Sequence, residues 1–320
     1  MPLVKFFLST SLLCLVLIRI DVFSFVFVII WGVLLLLSAF ELPRTQVFLI
    51  FLLNMVLITW GMGLYAAYFY LAAFGLPVLT MCVLIVENKD YNTIRTCGMI
   101  AAVTGISLYL IITYALTGSI GITDLQAVLH NSVNETLEWY KNWGILDNLA
   151  ANGLNEESLR FQFETMAQTL PQYLPSYYYL QSLFTAFFVL LLANRINLHN
   201  AEKYLTKQPY FLDIMPWQLV WLVIIALALL LGGRNHNTSV YLAGANVLAV
   251  MVPTAIYFGF CALSWRLRML KASTKKWAVA VIVILSIFFI PSALTFLALI
   301  GLFDSLIDYR KLRSQKGGRQ

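Results

Sequence analysis

Few residues of this chain could carry out acid-base or metal chemistry, and they are scattered. The three histidines, His130, His199 and His236, have no H-x-x-x-H spacing and no carboxylate partner at ligand spacing. Zinc sites need clustered ligands, so no bound metal is expected. The sequence also lacks a phosphate-binding loop, a dinucleotide-binding turn and a nucleophile elbow. We therefore expect no enzyme activity and no cofactor, and any ATP would have to be hydrolysed by a partner.

Polar side chains inside long apolar runs are a more informative signal. Lipid offers them no hydrogen-bond partners, so each must face another helix or a cavity. One interpretation is packing between helices, with the tyrosines at 177–179 as an aromatic belt at the membrane surface. The other is a pocket for a small molecule, formed by Asn54, Trp60, Gln181 and Asn246.

Two aspartates follow the last apolar run. Asp304 and Asp308 are one helical turn apart and would share a helix face, with Arg310 close behind them. These carboxylates would form a structural ion pair with a basic residue, such as Arg195, or provide a docking surface for a protein partner. No ionised residue lies in the middle of a long apolar run, which argues against a proton pump or a charge-gated channel.

The elements that position these residues are predicted to be membrane helices. Of the 320 residues, 61% are apolar and 11% are charged, whereas about 25% of a soluble domain is charged. The 21 basic and 15 acidic side chains cannot cover a soluble protein of this length. The net charge of +6 comes largely from basic residues beside apolar runs, so we expect the lipid bilayer, and no nucleic acid, as the partner.

Nine apolar runs approach the roughly 20 residues with which a helix crosses a bilayer. They are 3–18, 22–40, 47–62, 64–86, 94–117, 175–194, 217–232, 239–264 and 277–303. The first run resembles a signal peptide, but no small-residue cleavage site follows it, so we expect it to be retained. The prediction is an all-α, polytopic bundle of about 8 to 10 membrane helices.

The segment 118–174 differs from these runs, because its acidic residues outnumber its basic residues seven to two. Loops rich in Lys and Arg are retained on the cytoplasmic side of a membrane, and this segment has few of either. We therefore place it on the outer side of an inner (cell) membrane. The N-terminus and the basic tail then lie in the cytoplasm. The predicted organisation is a membrane half at 1–117, the acidic insert at 118–174, a second membrane half at 175–305 and the tail at 306–320.

The run 277–303 conflicts with this topology if it crosses once. Its 27 residues would form one helix about 40 Å long, and the basic tail would then lie outside. Pro291 interrupts the run near its middle. We therefore favour a membrane hairpin of two short helices over a single kinked, tilted helix.

The insert is predicted to contain two amphipathic helices. Thr123 and Gln126 form a possible capping box at the start of the first. The second is expected to begin at Asn155, with acidic residues in its first turn, and to stop at Pro171. Both helices would rest on the outer bilayer surface or cap the bundle, or they would form a lid over an outward cavity.

Four short motifs follow one another along the chain. They are Leu170-Pro171-x-x-Leu174-Pro175, Met215-Pro216-Trp217, Gly244-Ala245-Asn246-Val247-Leu248 and Gly301-Leu302-Phe303-Asp304-x-x-x-Asp308-x-Arg310. Their order resembles the YybS-like bacterial integral membrane proteins, a family known only as a domain of unknown function. That family is distantly similar to the substrate-binding subunits of energy-coupling-factor transporters. The resemblance implies binding of a small solute and reliance on a membrane partner or ATPase module.

Two functions are compatible with these features. The first is a non-catalytic, transport-related protein that binds a small solute in a cavity within the helix bundle. The second is a membrane scaffold or regulator of envelope or cell-cycle processes, which acts through protein partners. A membrane enzyme acting on lipid would need clustered acid, base or metal groups, and the sequence shows none.

Overall fold

The chain folds into helices. A computed structural model describes residues 2–19, 24–146, 149, 155–197, 205–206, 209–235, 237–307 and 310. Every regular element in these ranges is helical, which confirms the predicted all-α class. The chain divides into two compact units, Met1–Thr206 and Lys207–Gln320.

The helices of the first unit match the predicted apolar runs and the insert. They are α1 (Pro2–Arg19), α2 (Ser24–Glu41), α3 (Arg44–Met62), α4 (Leu64–Val86), α5 (Tyr91–Thr117), α6 (Ile122–Asn142), α7 (Glu156–Thr169) and α8 (Leu174–Ile196). Breaks occur at residues that disfavour helix. Pro43 precedes α3, Gly63 (φ 86°) separates α3 from α4, and Gly118 (φ 70°) ends α5. Glycine adopts such positive φ values without steric strain.

Helix α2 forms much of the core of the first unit and contacts α1, α3, α4 and α8. Its buried face includes Trp31 and Leu36. Gly32 lets α8 approach closely, because a Cβ there would lie only 2.7 Å from a methyl group of Val189. Helix α1 contributes the buried Phe6 and Cys14 to the same core, so the first run is part of the folded unit.

Helix α4 contains a π-helical segment at Leu71–Gly75. Ser182 of α8 donates a 2.5 Å hydrogen bond to the carbonyl oxygen of Ala73 in this segment. Gly105 of α5 lies against the carbonyl oxygen of Ala72, where a Cβ would clash. The π segment is therefore where α4 makes close contacts with both α5 and α8.

The insert forms a small core of its own between α6 and α7. Val133 and Leu137 of α6 pack with Leu159 and Ala167 of α7. The two helices therefore pack against each other through these residues, while the apolar Val128 of α6 and Met166 of α7 remain exposed.

The helix boundaries of the insert were predicted with mixed success. Asn155 caps α7, since its Oδ1 accepts a 2.8 Å hydrogen bond from the Ser158 N–H, and the predicted start is confirmed. The capping box at Thr123 and Gln126 was wrong. Gly121 takes the N-cap position in a left-handed conformation (φ 83°), which places Thr123 inside the first turn. Gln126 instead donates a hydrogen bond to a carbonyl oxygen next to the end of α7.

The second unit consists of helices packed through small residues. They are α9 (Trp217–Gly233), α10 (Thr238–Arg268), α11 (Ala272–Phe288) and α12 (Ile290–Ile307). A Cβ at Gly244 of α10 would lie 2.6 Å from the carbonyl oxygen of Ala226 in α9. Gly259 of α10 and Gly301 of α12 bring those two helices equally close, since a Cβ at either would clash with backbone. Small residues permit this kind of approach between membrane helices.

The run 277–303 is divided between two helices. Phe289 (φ −129°, ψ 51°) separates α11 from α12, two residues before Pro291, which lacks the N–H that a continuous helix would need. The guanidinium of Arg268, the last residue of α10, lies 4.0 Å from the ring centroid of Phe211. Arg310, just after α12, donates a 2.6 Å hydrogen bond to the Phe211 carbonyl. Since α10 and α12 both end near Phe211, α11 runs in the opposite direction to them, as expected for the hairpin.

Seven helices or continuous helical stretches in the described part of the chain are long and apolar enough to cross a membrane. They are Ser24–Glu41, Arg44–Met62, Leu64–Val86, Tyr91–Thr117, Glu156–Ile196, Thr238–Arg268 and Ile290–Ile307. Two shorter apolar helices, Pro2–Ile18 and Trp217–Gly233, accompany them. The predicted polytopic membrane bundle is therefore confirmed.

Candidate functional site

Asn54 is fully buried between α3 and α1. Its Nδ2 donates a 2.9 Å hydrogen bond to the Thr10 hydroxyl. Its Oδ1 accepts longer hydrogen bonds, both 3.5 Å, from the Ser11 hydroxyl and the Cys14 thiol. All of these partners are on α1, so this amide joins two helices.

The other three residues of the predicted pocket occupy different surroundings. Trp60, also on α3, is 79% exposed. Gln181 is half-buried on α8. Asn246 belongs to the second unit, where its Nδ2 donates a 2.9 Å hydrogen bond to the Leu242 carbonyl of its own helix. The structure therefore does not bring Asn54 and Trp60 to one cavity, although they lie on the same helix.

A cavity of about 350 Å³ lies in the first unit between α3 and α4, and none of the four predicted residues lines it. Its lining is mostly apolar and consists of Arg44, Thr45, Val47, Phe48, Leu79, Cys82, Val83 and Val86. Arg44 and Thr45 are the first two residues of α3, and Val86 is the last of α4. The insert follows the opposite end of α5, so the insert is not positioned to form a lid over this cavity.

The mouth of the cavity carries the charged groups. The Arg44 guanidinium lies 3.7 Å from a carboxylate oxygen of Glu87, and both side chains are substantially exposed. The N-cap of α3 is Pro43, which supplies no side-chain acceptor, and the first amides of a helix have no acceptor within the helix. This end of the cavity therefore offers hydrogen-bond donors beside an exposed Arg44–Glu87 ion pair.

Cys82 forms part of the cavity wall and is buried. Its thiol contacts the carbonyl oxygen of Leu35 at 3.6 Å. Buried thiols in apolar surroundings are inert as nucleophiles, because the reactive species is the thiolate. Cys82 therefore contributes shape to the cavity rather than reactivity.

Asp304 and Arg310 form a buried ion pair in the second unit. Arg310 Nε lies 3.0 Å from each Asp304 carboxylate oxygen, and Nη2 also donates to that carboxylate. Nη1 and Nη2 donate to the carbonyl oxygens of Phe211 and Asp213, at 2.6 and 2.8 Å. Each guanidinium nitrogen thus has a partner, which offsets the cost of burying the charge.

The ion pair holds the segment before α9. Ser305 donates a 2.8 Å hydrogen bond to the Met215 carbonyl, and Tyr257 donates a 2.7 Å hydrogen bond to Asp213 Oδ2. Backbone without helical hydrogen bonds needs such partners when it is buried. The arrangement is that of a structural connection between α12, α10 and residues 211–215.

Two other residues, Asp308 and Arg195, were predicted to take part in the ion pair or docking surface with Asp304. Asp308 lies outside the described residues. Arg195, suggested as an ion-pair partner, is exposed near the end of α8 in the first unit, and Asp304 is paired with Arg310 instead.

In the part of the chain that the structure describes, no cluster of three or more His, Cys, Asp or Glu side chains could hold a metal ion. His130 is exposed on α6, whereas His199 and His236 fall in ranges that the structure does not describe.

Sequence reasoning missed the cavity and the hydrogen bond from Ser182 to Ala73. The cavity walls are ordinary apolar residues, and only Arg44, at the start of an apolar run, could have indicated its mouth. The π segment has no signature in the local sequence beyond its small residues, Ala72, Ala73 and Gly75.

Comparison with known proteins identifies the family. The family described as "Predicted membrane protein (DUF2232)" matches residues 7–305, which include most of both units. No curated protein and no solved structure matches the chain. The resemblance to YybS-like proteins is consistent with this family, while the similarity to transporter subunits has no support from the comparisons. The chain therefore belongs to the DUF2232 family of predicted membrane proteins.

Proposed function

We propose that the chain is a non-catalytic, transport-related membrane protein that binds one small, largely apolar molecule in the cavity between α3 and α4. The observation that carries this proposal is the cavity itself. Its volume of about 350 Å³ falls within the range of small-molecule sites, which are mostly apolar with a few polar groups for orientation.

The lining favours binding over catalysis. Cys82 is buried among apolar groups, so its thiol is not available as a nucleophile. The Thr45 hydroxyl would need a neighbouring base to act as a nucleophile. Glu87 lies at the exposed mouth, 3.7 Å from Arg44 and outside the cavity lining.

Native mass spectrometry of the detergent-purified protein tests this proposal. Val83→Trp would fill the cavity, whereas Val56→Trp places the same side chain on the exposed face of α3. We expect a retained small molecule in the wild type and in Val56→Trp, and none in Val83→Trp. A wild-type protein that carries nothing, or equal retention in both variants, would overturn the proposal.

Transport would need an energy source from a partner, since the chain has no phosphate-binding loop. We therefore expect an ATPase-containing membrane complex to co-purify from native membranes. A chain that retains its ligand but is isolated without ATPase subunits would argue for binding without transport.

The scaffold function is favoured by one observation on the insert. Helices α6 and α7 pack against each other through a small apolar core, and acidic side chains lie on their exposed surface. Glu135, Glu138, Glu156 and Glu157 are all exposed. Replacing these four with glutamine should abolish co-purification of a basic protein partner, while retention of the cavity ligand stays unchanged.

A further inference from the structure

We propose that the molecule held in the α3–α4 cavity is an anionic phospholipid, with its phosphate at Arg44 and an acyl chain between the two helices. This inference rests on the proposed binding function and specifies the chemistry of the ligand. It depends on three properties of the cavity: its level in the membrane, its open apolar side and the charge at its mouth.

The first property is the level of the mouth. Helices α3 and α4 are consecutive membrane helices joined at Gly63, and the cavity lies at their other ends, where α3 begins and α4 stops. Contact between Arg44 and Glu87 shows that those two ends are adjacent. The ends of membrane helices lie at the level of lipid headgroups, so the charged mouth is where a phosphate would be.

The second property is the apolar wall. From Leu79 to Val86 the α4 side of the cavity extends about 10 Å along the helix axis, away from the mouth and into the span. Phe48 lines the α3 side and is 47% exposed. The cavity is therefore accessible from the bilayer, and an acyl chain can enter sideways without opening the core.

The third property is the charge and the donors. Arg44 and the Thr45 hydroxyl lie at the mouth with the first amides of α3, and guanidinium groups bind phosphate through paired, charge-assisted hydrogen bonds. Glu87 is a weak competitor, because exposed ion pairs contribute about 0–1 kcal/mol and its carboxylate is 3.7 Å away. A zwitterionic lipid has a cationic headgroup as well, so the single arginine favours an anionic one.

Lipid retention by the purified full-length protein tests this inference. The protein is equilibrated in nanodiscs of equal phosphatidylcholine and phosphatidylglycerol, extracted in mild detergent, and its retained lipids are quantified by mass spectrometry. We expect the wild type to retain phosphatidylglycerol about fivefold over phosphatidylcholine, the preference that one arginine near the surface provides.

Variants identify the groups responsible. Arg44→Gln should remove the preference, while Lys89→Gln, which changes a charge beside the same mouth but outside the lining, should keep it. Glu87→Gln should increase the preference. Glycerol 3-phosphate carries the phosphate without acyl chains and should not compete at equal concentration.

Three results would overturn the lipid assignment: no preference in the wild type, an unchanged preference in Arg44→Gln, or full competition by glycerol 3-phosphate. The cavity-filling variant Val83→Trp shows whether only the lipid assignment is wrong or whether the cavity binds no ligand at all. If that variant loses a retained molecule that is not a phospholipid, the cavity still binds a ligand and only its identity was wrong.

Discussion

Arg310 lies against Asp304 six residues earlier in the chain, with its Nε 3.0 Å from both carboxylate oxygens. Both side chains are almost completely buried. Asp304 is in the last turn of α12, and Arg310 follows the end of that helix. The Arg310 guanidinium also donates hydrogen bonds to the carbonyl oxygens of Phe211 and Asp213. One charged group thus connects the end of the last membrane helix to the segment before α9.

Removing one member of this pair should destabilise the protein strongly. Asp304→Asn and Arg310→Met each leave a buried group without its partner, and we expect a loss of about 3–5 kcal/mol. The double variant Asp304→Leu with Arg310→Met should lose less than the sum. Thermal unfolding in detergent measures both, with the exposed Arg266→Met as a control. Single variants as stable as that control would contradict the prediction.

The close approach of α10 and α12 depends on glycine. A side chain at Gly301 would collide with backbone atoms of Ala255 and Gly259. We expect Gly301→Leu to separate the helices and to cost at least about 1–3 kcal/mol, the usual range for overpacking. Gly232→Leu is the matched control, since no atom lies within 4 Å of its Cβ position. Equal unfolding temperatures for the two variants would show that α10 and α12 do not pack this way.

The buried amide of Asn54 should matter for the association of α1 with α3. Asn54→Leu removes the hydrogen bond to Thr10, and we expect a loss of about 1 kcal/mol, as for other hydrogen bonds between membrane helices. Thr59→Val is the control, because the Thr59 hydroxyl bonds only to the Met55 carbonyl within α3. Susceptibility of α1 to proteolysis should increase in Asn54→Leu and not in the control.

Stability should depend on pH through Asp90, the N-cap of α5. A hydrogen bond from the Thr93 hydroxyl, together with backbone N–H groups of Thr93 and Asn92, holds the pKa of Asp90 below its ordinary value of 3.8. A carboxyl group with a lowered folded-state pKa adds stability above its unfolded-state pKa and loses it as the pH falls through the folded-state value.

Asp90→Ala should therefore cost about 1 kcal/mol at pH 7. The difference from the wild type should shrink as the pH falls below the ordinary pKa of 3.8, because the carboxyl group then binds a proton more readily in the unfolded chain. Asp90→Asn keeps an uncharged capping oxygen and should be less destabilised, without this acid dependence. Chemical denaturation in detergent at several pH values measures all three proteins, and a difference independent of pH would contradict the role given to the charge.

Most helices could be predicted because lipid demands long apolar segments, whatever their neighbours in the fold. The break in the run 277–303 was also predictable, since Pro291 cannot continue a helix. The partner of Asp304 was harder to identify. Arg310 is six residues after Asp304, too far along the chain for a contact within one helix turn, so the spacing rule for helix pairs does not identify it.

The candidate site could not be derived from the sequence for a different reason. Polar residues in apolar runs indicate either a pocket or a contact between helices, and the choice depends on which helices are neighbours. Asn54 faces α1 and its hydrogen bonds are used there. The cavity instead arises where Val83 and Phe48 do not fill the space between α3 and α4. Such a packing defect cannot be recognised from the amino-acid composition.

The π segment at Leu71–Gly75 also fixes how α4 can vary in length. A π turn accommodates one residue more than an α turn, whereas each residue of a regular α-helix rotates the faces by about 100°. Deleting one residue within Leu71–Gly75 would therefore restore regular α-helix and leave the faces on either side nearly unchanged. A deletion between this segment and Val86 would instead rotate Phe69, whose ring lies 5.1 Å from the rings of both Tyr109 and Tyr178, relative to the end of the helix. Single-residue differences in length among homologues should therefore fall within the π segment.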